Sequence, residues 1–224
     1  METYILHLET ATKVCSVGLS KNGTLHSLKE CEEEGFSHGE NLNIFIQDVL
    51  NDVKIKIADL AAVSLVSGPG SYTGLRIGAA TAKSLCYALN IPLISIDSLT
   101  SLAVLGRQKY PDQNICALID ARRMEVYNLV VDKNQCNLNE ISADIIEIDS
   151  YEEFTPFVCI GDGAEKLKTV WKDKNCIFDT DIKSSAKGQV KIAFEKFVAK
   201  KFEDIAYWEP FYLKNFIPGK KTNE

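Results

Sequence analysis

Residues 61–80, AAVSLVSGPGSYTGLRIGAA, constrain this 224-residue chain more than any other stretch. A β-branched apolar run breaks into Gly-Pro-Gly-Ser and restarts as a helix of small residues, which predicts a strand, a tight loop and a helix N-terminus facing an anion or a partner. Two nucleotide-binding loops fail against it. A Walker A loop requires Gly-x4-Gly-Lys-Ser/Thr, and no Lys lies between Gly68 and Arg76. The dinucleotide fingerprint fails by one residue, because Gly68, Gly70 and Gly74 are spaced G-x-G-x-x-x-G and Pro69 has no N–H for a pyrophosphate.

The order of elements around this unit predicts the fold class. Tyr4 to Leu8 and Cys15 to Leu19 read as strands, and Asn22-Gly23 signals a hairpin into a third strand around Leu25 to Leu28. An acidic loop is expected at 30–35, then a helix from about Ser37 to Val53, a strand near Val63, a helix from Leu75 to Leu89 and a strand from Leu93 to Ile96. That β-β-β-α-β-α-β order is an actin-like, ribonuclease-H-like half. The second half starts the same way, with a strand from Ile115 to Ile119 ending in Asp120 and a strand from Met124 to Val131. After these come a strand and Gly-Asp-Gly turn at Val158 to Gly163, a helix from Ala164 to about Trp171 and a last helix near Lys187 to Lys200. The expectation is an α/β, actin-like ATPase fold of duplicated halves, 1–105 and 106–224, with the second reduced. Residues 132–205 are the least distinctive part.

With 46 % apolar residues the chain can bury a sizeable core, while its net charge of −6 argues against gripping a polyanion unaided. Its seven cysteines are odd in number, far apart and without a C-x-x-C, which suits a reducing, cytoplasmic setting. No basic leader or long apolar run predicts export or a membrane span.

In the first helix Leu42, Phe45, Ile46, Val49, Leu50 and Val53 make one core-facing stripe, with Ile44 off it. The second is charged only at Arg76 and Lys83, and Ile77, Gly78, Ala79, Ala80, Ala82, Leu85 and Cys86 spread around it. It is either a core helix covered on several sides or an interface helix whose small residues admit another backbone.

The segment Ser67-Gly68-Pro69-Gly70-Ser71-Tyr72-Thr73-Gly74-Leu75-Arg76-Ile77-Gly78 resembles the signature of the TsaB family of bacterial tRNA threonylcarbamoyladenosine biosynthesis proteins. So do ILHLETATKVCSVGL (5–19), IDARRMEVY (119–127) and EPFYL (209–213), and the resemblance extends over nearly the whole chain. It implies a noncatalytic subunit that binds and activates the paralogous threonylcarbamoyltransferase TsaD, which modifies the adenosine 3′ to the anticodon in tRNAs reading A-starting codons. It also implies a TsaE-like ATPase as partner, tRNA met through the complex, ATP and a metal used by the partner enzymes, and no cofactor bound by this chain alone. The first two helices become the docking element for TsaD or for a second copy, with Leu42, Phe45, Ile46, Arg76, Ile77, Ala79, Ala80, Ala82 and Lys83 as candidate contacts.

Three rival chemistries are open to test. The metal-ligand pair H-x-x-x-H of the catalytic paralogue has no counterpart, since the matching segment is Asp97-Ser98-Leu99-Thr100-Ser101-Leu102. Asp97 there reads as a helix N-cap, and His7, His26 and His38 are not spaced as ligands. Glu9, Asp120 and Asp162 each follow a strand, as the Mg-phosphate acids of actin-like kinases do, but Glu9-Thr10-Ala11-Thr12-Lys13 supplies no glycine for a phosphate. They are expected to cap turns or line a vestigial cleft, the alternative being a degenerate nucleotide-binding kinase or acyltransferase. Ser71, with His38, is the one peptidase-like pairing, and it lies outside a G-x-S-x-G elbow. Arg76, Arg122 and Arg123 pair with surface acids or contact a partner or its RNA.

Overall fold

The computed structural model describes residues 2–32 and 38–214, and within them two five-stranded sheets. The first holds β1 (Tyr4–Glu9), β2 (Val14–Lys21), β3 (Thr24–Glu32), β4 (Leu60–Val66) and β5 (Leu93–Ile96) in the order β3-β2-β1-β4-β5. The second holds β6 (Asn114–Asp120), β7 (Glu125–Val131), β8 (Ser142–Ile145), β9 (Phe157–Ile160) and β10 (Cys176–Asp179) in the order β10-β9-β6-β7-β8. In each sheet the first three strands are an antiparallel meander, and the fourth and fifth run parallel to the first. The two sheets therefore share one topology, the duplicated α/β arrangement that the element order predicts.

Helices α1 (His38–Val53) and α2 (Tyr72–Leu89) cover one face of the first sheet. Leu42, Ile46, Val49 and Leu50 from α1, with Ala79, Ala82 and Cys86 from α2, meet Leu6, Leu8, Val17, Leu19 and Val63. The stripe on α1 falls as its spacing requires, and Ile44 is exposed. Helix α3 (Ser98–Lys109) leaves the first half and packs Leu99, Leu102 and Ala103 on Ile115, Ala117, Val158 and Ile160 of the second sheet. After β10 the chain returns through a 3-10 turn (Ala186–Gln189) and α4 (Val190–Val198), whose Ala193 and Phe197 cover Ile5, Ala62, Ile94 and Ile96. Gln189 locks the return by accepting from Ser64 Oγ (2.7 Å) and donating to the Leu8 carbonyl (2.8 Å). A division at residue 105 falls inside α3, so each half lends a helix to the other's sheet.

The face of the second sheet opposite α3 is covered by irregular chain. Ala164, Leu167 and Trp171 pack on Cys116, Leu118, Phe157 and Cys159, and the Trp171 indole N–H donates to the Glu147 carbonyl at 2.9 Å. The helix expected over 164–171 is instead a 3-10 turn (Glu165–Leu167) followed by turns. Eight residues are too few to nucleate a helix without help, and anchoring Leu167 and Trp171 in the core fixes the backbone otherwise. The acidic loop expected from residue 30 is also corrected. Strand β3 continues to Glu32, because an edge strand tolerates outward charges: Glu30 and Glu32 are exposed, Glu30 accepts from Ser16 Oγ at 2.7 Å, and Glu32 pairs with Lys183. Residues 33–35 lie outside the described residues. Strands β8 and β10 are four residues each and carry no clear alternation.

Candidate functional site

Three segments that are far apart in sequence meet at the loop between β4 and α2. Ser71 donates its N–H to the Ala11 carbonyl of the β1–β2 turn at 2.6 Å, and a Cβ at Gly70 would collide with that same carbonyl. On the other side Phe211 donates its N–H to the Ser67 carbonyl at 2.7 Å. Gly68, at φ +110, lies against the Phe211 carbonyl, where no side chain fits. The segments 5–19, 67–78 and 209–213 thus clamp one another, with the Tyr72 and Tyr212 rings 4.8 Å apart and the Arg76 guanidinium 5.4 Å above Tyr72. Ser71 is the N-cap of α2, its Oγ accepting from the Gly74 N–H at 3.2 Å. The side chain of His38 lies outside the described residues, so the peptidase pairing has only its serine half in view. Thr73 is exposed and Pro69 is buried, joined to Gly68 by a cis peptide.

The two faces of α2 differ. Gly74, Leu75, Gly78, Ala79, Ala82 and Cys86 face inward, while Thr73, Arg76, Ala80, Ser84 and Tyr87 form an outward stripe, with Tyr87 81 % exposed. A groove of about 470 Å³ opens along its start, lined by Tyr72, Thr73, Arg76, Ile77 and Ala80. The candidate contacts divide accordingly. Arg76 and Ala80 are exposed, and Phe45, Ile77 and Lys83 are half-buried. Leu42, Ile46, Ala79 and Ala82 belong to the core. Lys83 donates to the Trp208 carbonyl at 3.1 Å and so ties the C-terminal segment alongside the helix. This tie has no signal in the sequence beyond the quoted EPFYL stretch.

The three acids do come together. Glu9 ends β1 and Asp120 ends β6, equivalent places in the two sheets, and each accepts from the backbone N–H two residues on at 2.8 Å (Ala11 and Arg122). Asp162 follows β9, as the signature loop follows β4, and accepts the Asp120 N–H at 3.0 Å. Burial pushes Glu9 up to about 8 against the pull of the Ala11 N–H, and the neighbouring Asp162 and Glu30 charges push the same way. Burial likewise raises Asp162, against the pull of the Asp120 N–H and the Lys13 and Lys166 charges, with the Asp120 carboxylate adding to the rise. Asp120 is 46 % exposed at its side chain and pairs with Lys166.

This arrangement does not fit a phosphate cradle. The turn amides of Ala11 and Arg122 are held by the chain's own carboxylates, and that of Val14 by Thr12 Oγ1 at 3.2 Å. Among the described residues, no group of three or more His, Cys, Asp or Glu could hold a metal ion. His7 is buried with its Nε2 2.7 Å from Ser20 Oγ, and burial drives it down to about 3, whereas His26 is exposed. Asp97 caps α3, accepting from the Thr100 N–H at 2.8 Å. Arg122 and Arg123 are exposed at φ +70 and +52, and among the described residues neither forms a salt bridge. No described helix is long and apolar enough to cross a membrane.

The chain resembles known proteins in sequence and in fold. Residues 32–207 match the family model described as "TsaD: tRNA N6-adenosine threonylcarbamoyltransferase". The chain is 28 % identical to "tRNA threonylcarbamoyladenosine biosynthesis protein TsaB" of Escherichia coli K12 over 97 % of each chain. It is 32 % identical to the protein so named in Buchnera aphidicola subsp. Schizaphis graminum, over 75 % of this chain and 82 % of that one. In fold it is similar to YeaZ from Pseudomonas aeruginosa, with a TM-score of 0.81 and 21 % identity over 94 % of this chain and all of that one.

Proposed function

The chain belongs to the TsaD family and, within it, to the TsaB proteins of tRNA threonylcarbamoyladenosine biosynthesis, and from that premise we propose that it is a noncatalytic subunit that binds and activates a TsaD-like threonylcarbamoyltransferase. The observation that carries this reading is the open stripe of α2. A helix with only two formal charges leaves Thr73, Arg76, Ala80, Ser84 and Tyr87 outward beside a groove, a surface suited to a second helix pair. Supporting it, the turn amides that a phosphate would need already have partners, and the acids at the strand ends act as turn caps. Docking activates by favouring a competent state of the partner, to the extent that the interface binds that state more tightly. tRNA and a TsaE-like ATPase then meet the assembly rather than this chain alone.

The experiment is Ala80→Glu, read by co-elution with the TsaD-like paralogue and by circular dichroism. Ala80 is exposed, so the variant is expected to keep its melting transition and lose the complex. A variant that still forms the complex at wild-type affinity contradicts the α2 surface.

A further inference from the structure

Strand β8 ends the second sheet, and its outer edge is open. The Ile146 N–H donates to the Met124 carbonyl at 3.2 Å, and the register pairs Asp144 with Val126 and Ile145 with Glu125. Because hydrogen-bonding direction alternates along a strand, Ser142, Asp144 and Ile146 turn their backbone groups toward β7, and Ala143 and Ile145 turn theirs outward. Among the described residues neither Ala143 nor Ile145 has a backbone partner on that side. The open edge forms one wall of a broad groove of about 670 Å³, and the turn at Asp149, Ser150, Tyr151 and Glu153 forms the other. The Tyr151 hydroxyl holds the two walls in register by donating to Asp144 at 2.6 Å.

Two further features state what such a groove takes. Ile145 is 72 % exposed and Ile148 69 %, so apolar side chains lie beside the free backbone groups. Around them the charge has one sign: Glu140, Asp144, Glu147, Asp149, Glu152 and Glu153 stand in a stretch with no Lys or Arg between Lys133 and Lys166. Glu152 is paired with Lys174, whereas Asp149 and Glu153 are exposed at the groove without a salt bridge among the described residues.

We propose that the β8 edge is a docking site for an extended, basic segment of a partner protein, which adds as a strand beside Ala143 and Ile145 and directs Lys or Arg toward Asp149 and Glu153. Backbone pairing gives the affinity, the apolar residue over Ile145 gives the register, and the carboxylates select a cationic sequence. The surface lies at the edge of the second sheet and does not depend on the assignment made for α2.

The test uses the whole chain and a hexapeptide of alternating lysine and valine, followed by backbone amide shifts. The expected result is saturable shifts at Ala143 and Ile145, with affinity falling about tenfold or more for the same peptide N-methylated on alternate amides. A similar loss is expected in Asp149→Lys/Glu153→Lys. Ala143→Pro is a second variant, since it removes only an outward N–H on an edge strand. Equal binding of the N-methylated peptide overturns the proposal, because charge alone then explains the contact. Shifts confined to other surfaces overturn it, and so does self-association through β8 that the peptide does not reverse, since the occupant is then a second copy.

Discussion

The two halves solve the same topological problem with different materials. Both sheets run meander-then-parallel, yet the first carries helices on both faces, α1 and α2 on one and α4 on the other, whereas the second carries α3 on one face and irregular chain around Trp171 on the other. A helix satisfies its own backbone and leaves its outer face free for another role. The wrapped segment needs a large side chain to fill the space and a hydrogen bond, Trp171 to Glu147, to fix the wrap. Cover built from helices therefore leaves an outer stripe free, as on α2, and cover built from turns relies on one residue.

The largest effect that would sharpen this contrast is Ala82→Glu. Ala82 is fully buried, and an unpaired carboxylate there costs on the order of 3–5 kcal/mol. The expected outcome is loss of the folded monomer in urea titrations, against an unchanged midpoint for Ala80→Glu two residues away. Trp171→Ala comes next. Removing the plug is expected to cost about 3–5 kcal/mol by chemical denaturation, since the wrap has no helix to hold it. A cost under about 1 kcal/mol would mean the segment stands without its tryptophan.

The strand-end acids give a third comparison, because Glu9 and Asp120 are equivalent in position and unlike in burial. Glu9 has an ordinary value of 4.5 and about 8 in the fold, so between those values the unfolded chain releases a proton that the folded chain retains. The Glu9 contribution is fully present below 4.5 and is lost as pH rises through 8. His7 opposes this only below its ordinary 6.5, where protonation of the unfolded chain favours unfolding. From pH 6.5 to 8 Glu9 acts without it, and a fall of about 1.4 kcal/mol per pH unit is expected. Glu9→Gln flattens that slope. Asp120→Asn, at an exposed ion pair, is the smallest effect, within about 1 kcal/mol at any pH.

The same contrast explains what could be read from sequence. The first half was legible because its signals are strong: Asn22-Gly23 at a hairpin, a clean apolar stripe on α1 and Asp97 as a cap, whereas Ser71 caps an α2 that starts at Tyr72 rather than at the expected Leu75. In the second half β8 and β10 are too short to show a period, and Ala164, Leu167, Val170 and Trp171 mimic helical spacing while the chain turns. On α2 both faces carry alanines, so hydrophobicity alone could not separate Ala82 from Ala80. The polar positions Thr73, Arg76 and Ser84, spaced three and eight residues along one side, carried the information. The convergence of Glu9, Asp120 and Asp162 followed from the duplication, but the burial that separates Glu9 from Asp120 is a property of the packed halves.

The most direct test of the noncatalytic role is a reconstitution with the TsaD-like transferase, the TsaE-like ATPase, tRNA and threonylcarbamoyl-AMP, with and without this chain, scoring modified adenosine by mass. The account predicts modification only when both this chain and the transferase are present, and none from this chain alone. Equal product without the chain, or product from the chain without the transferase, would contradict it.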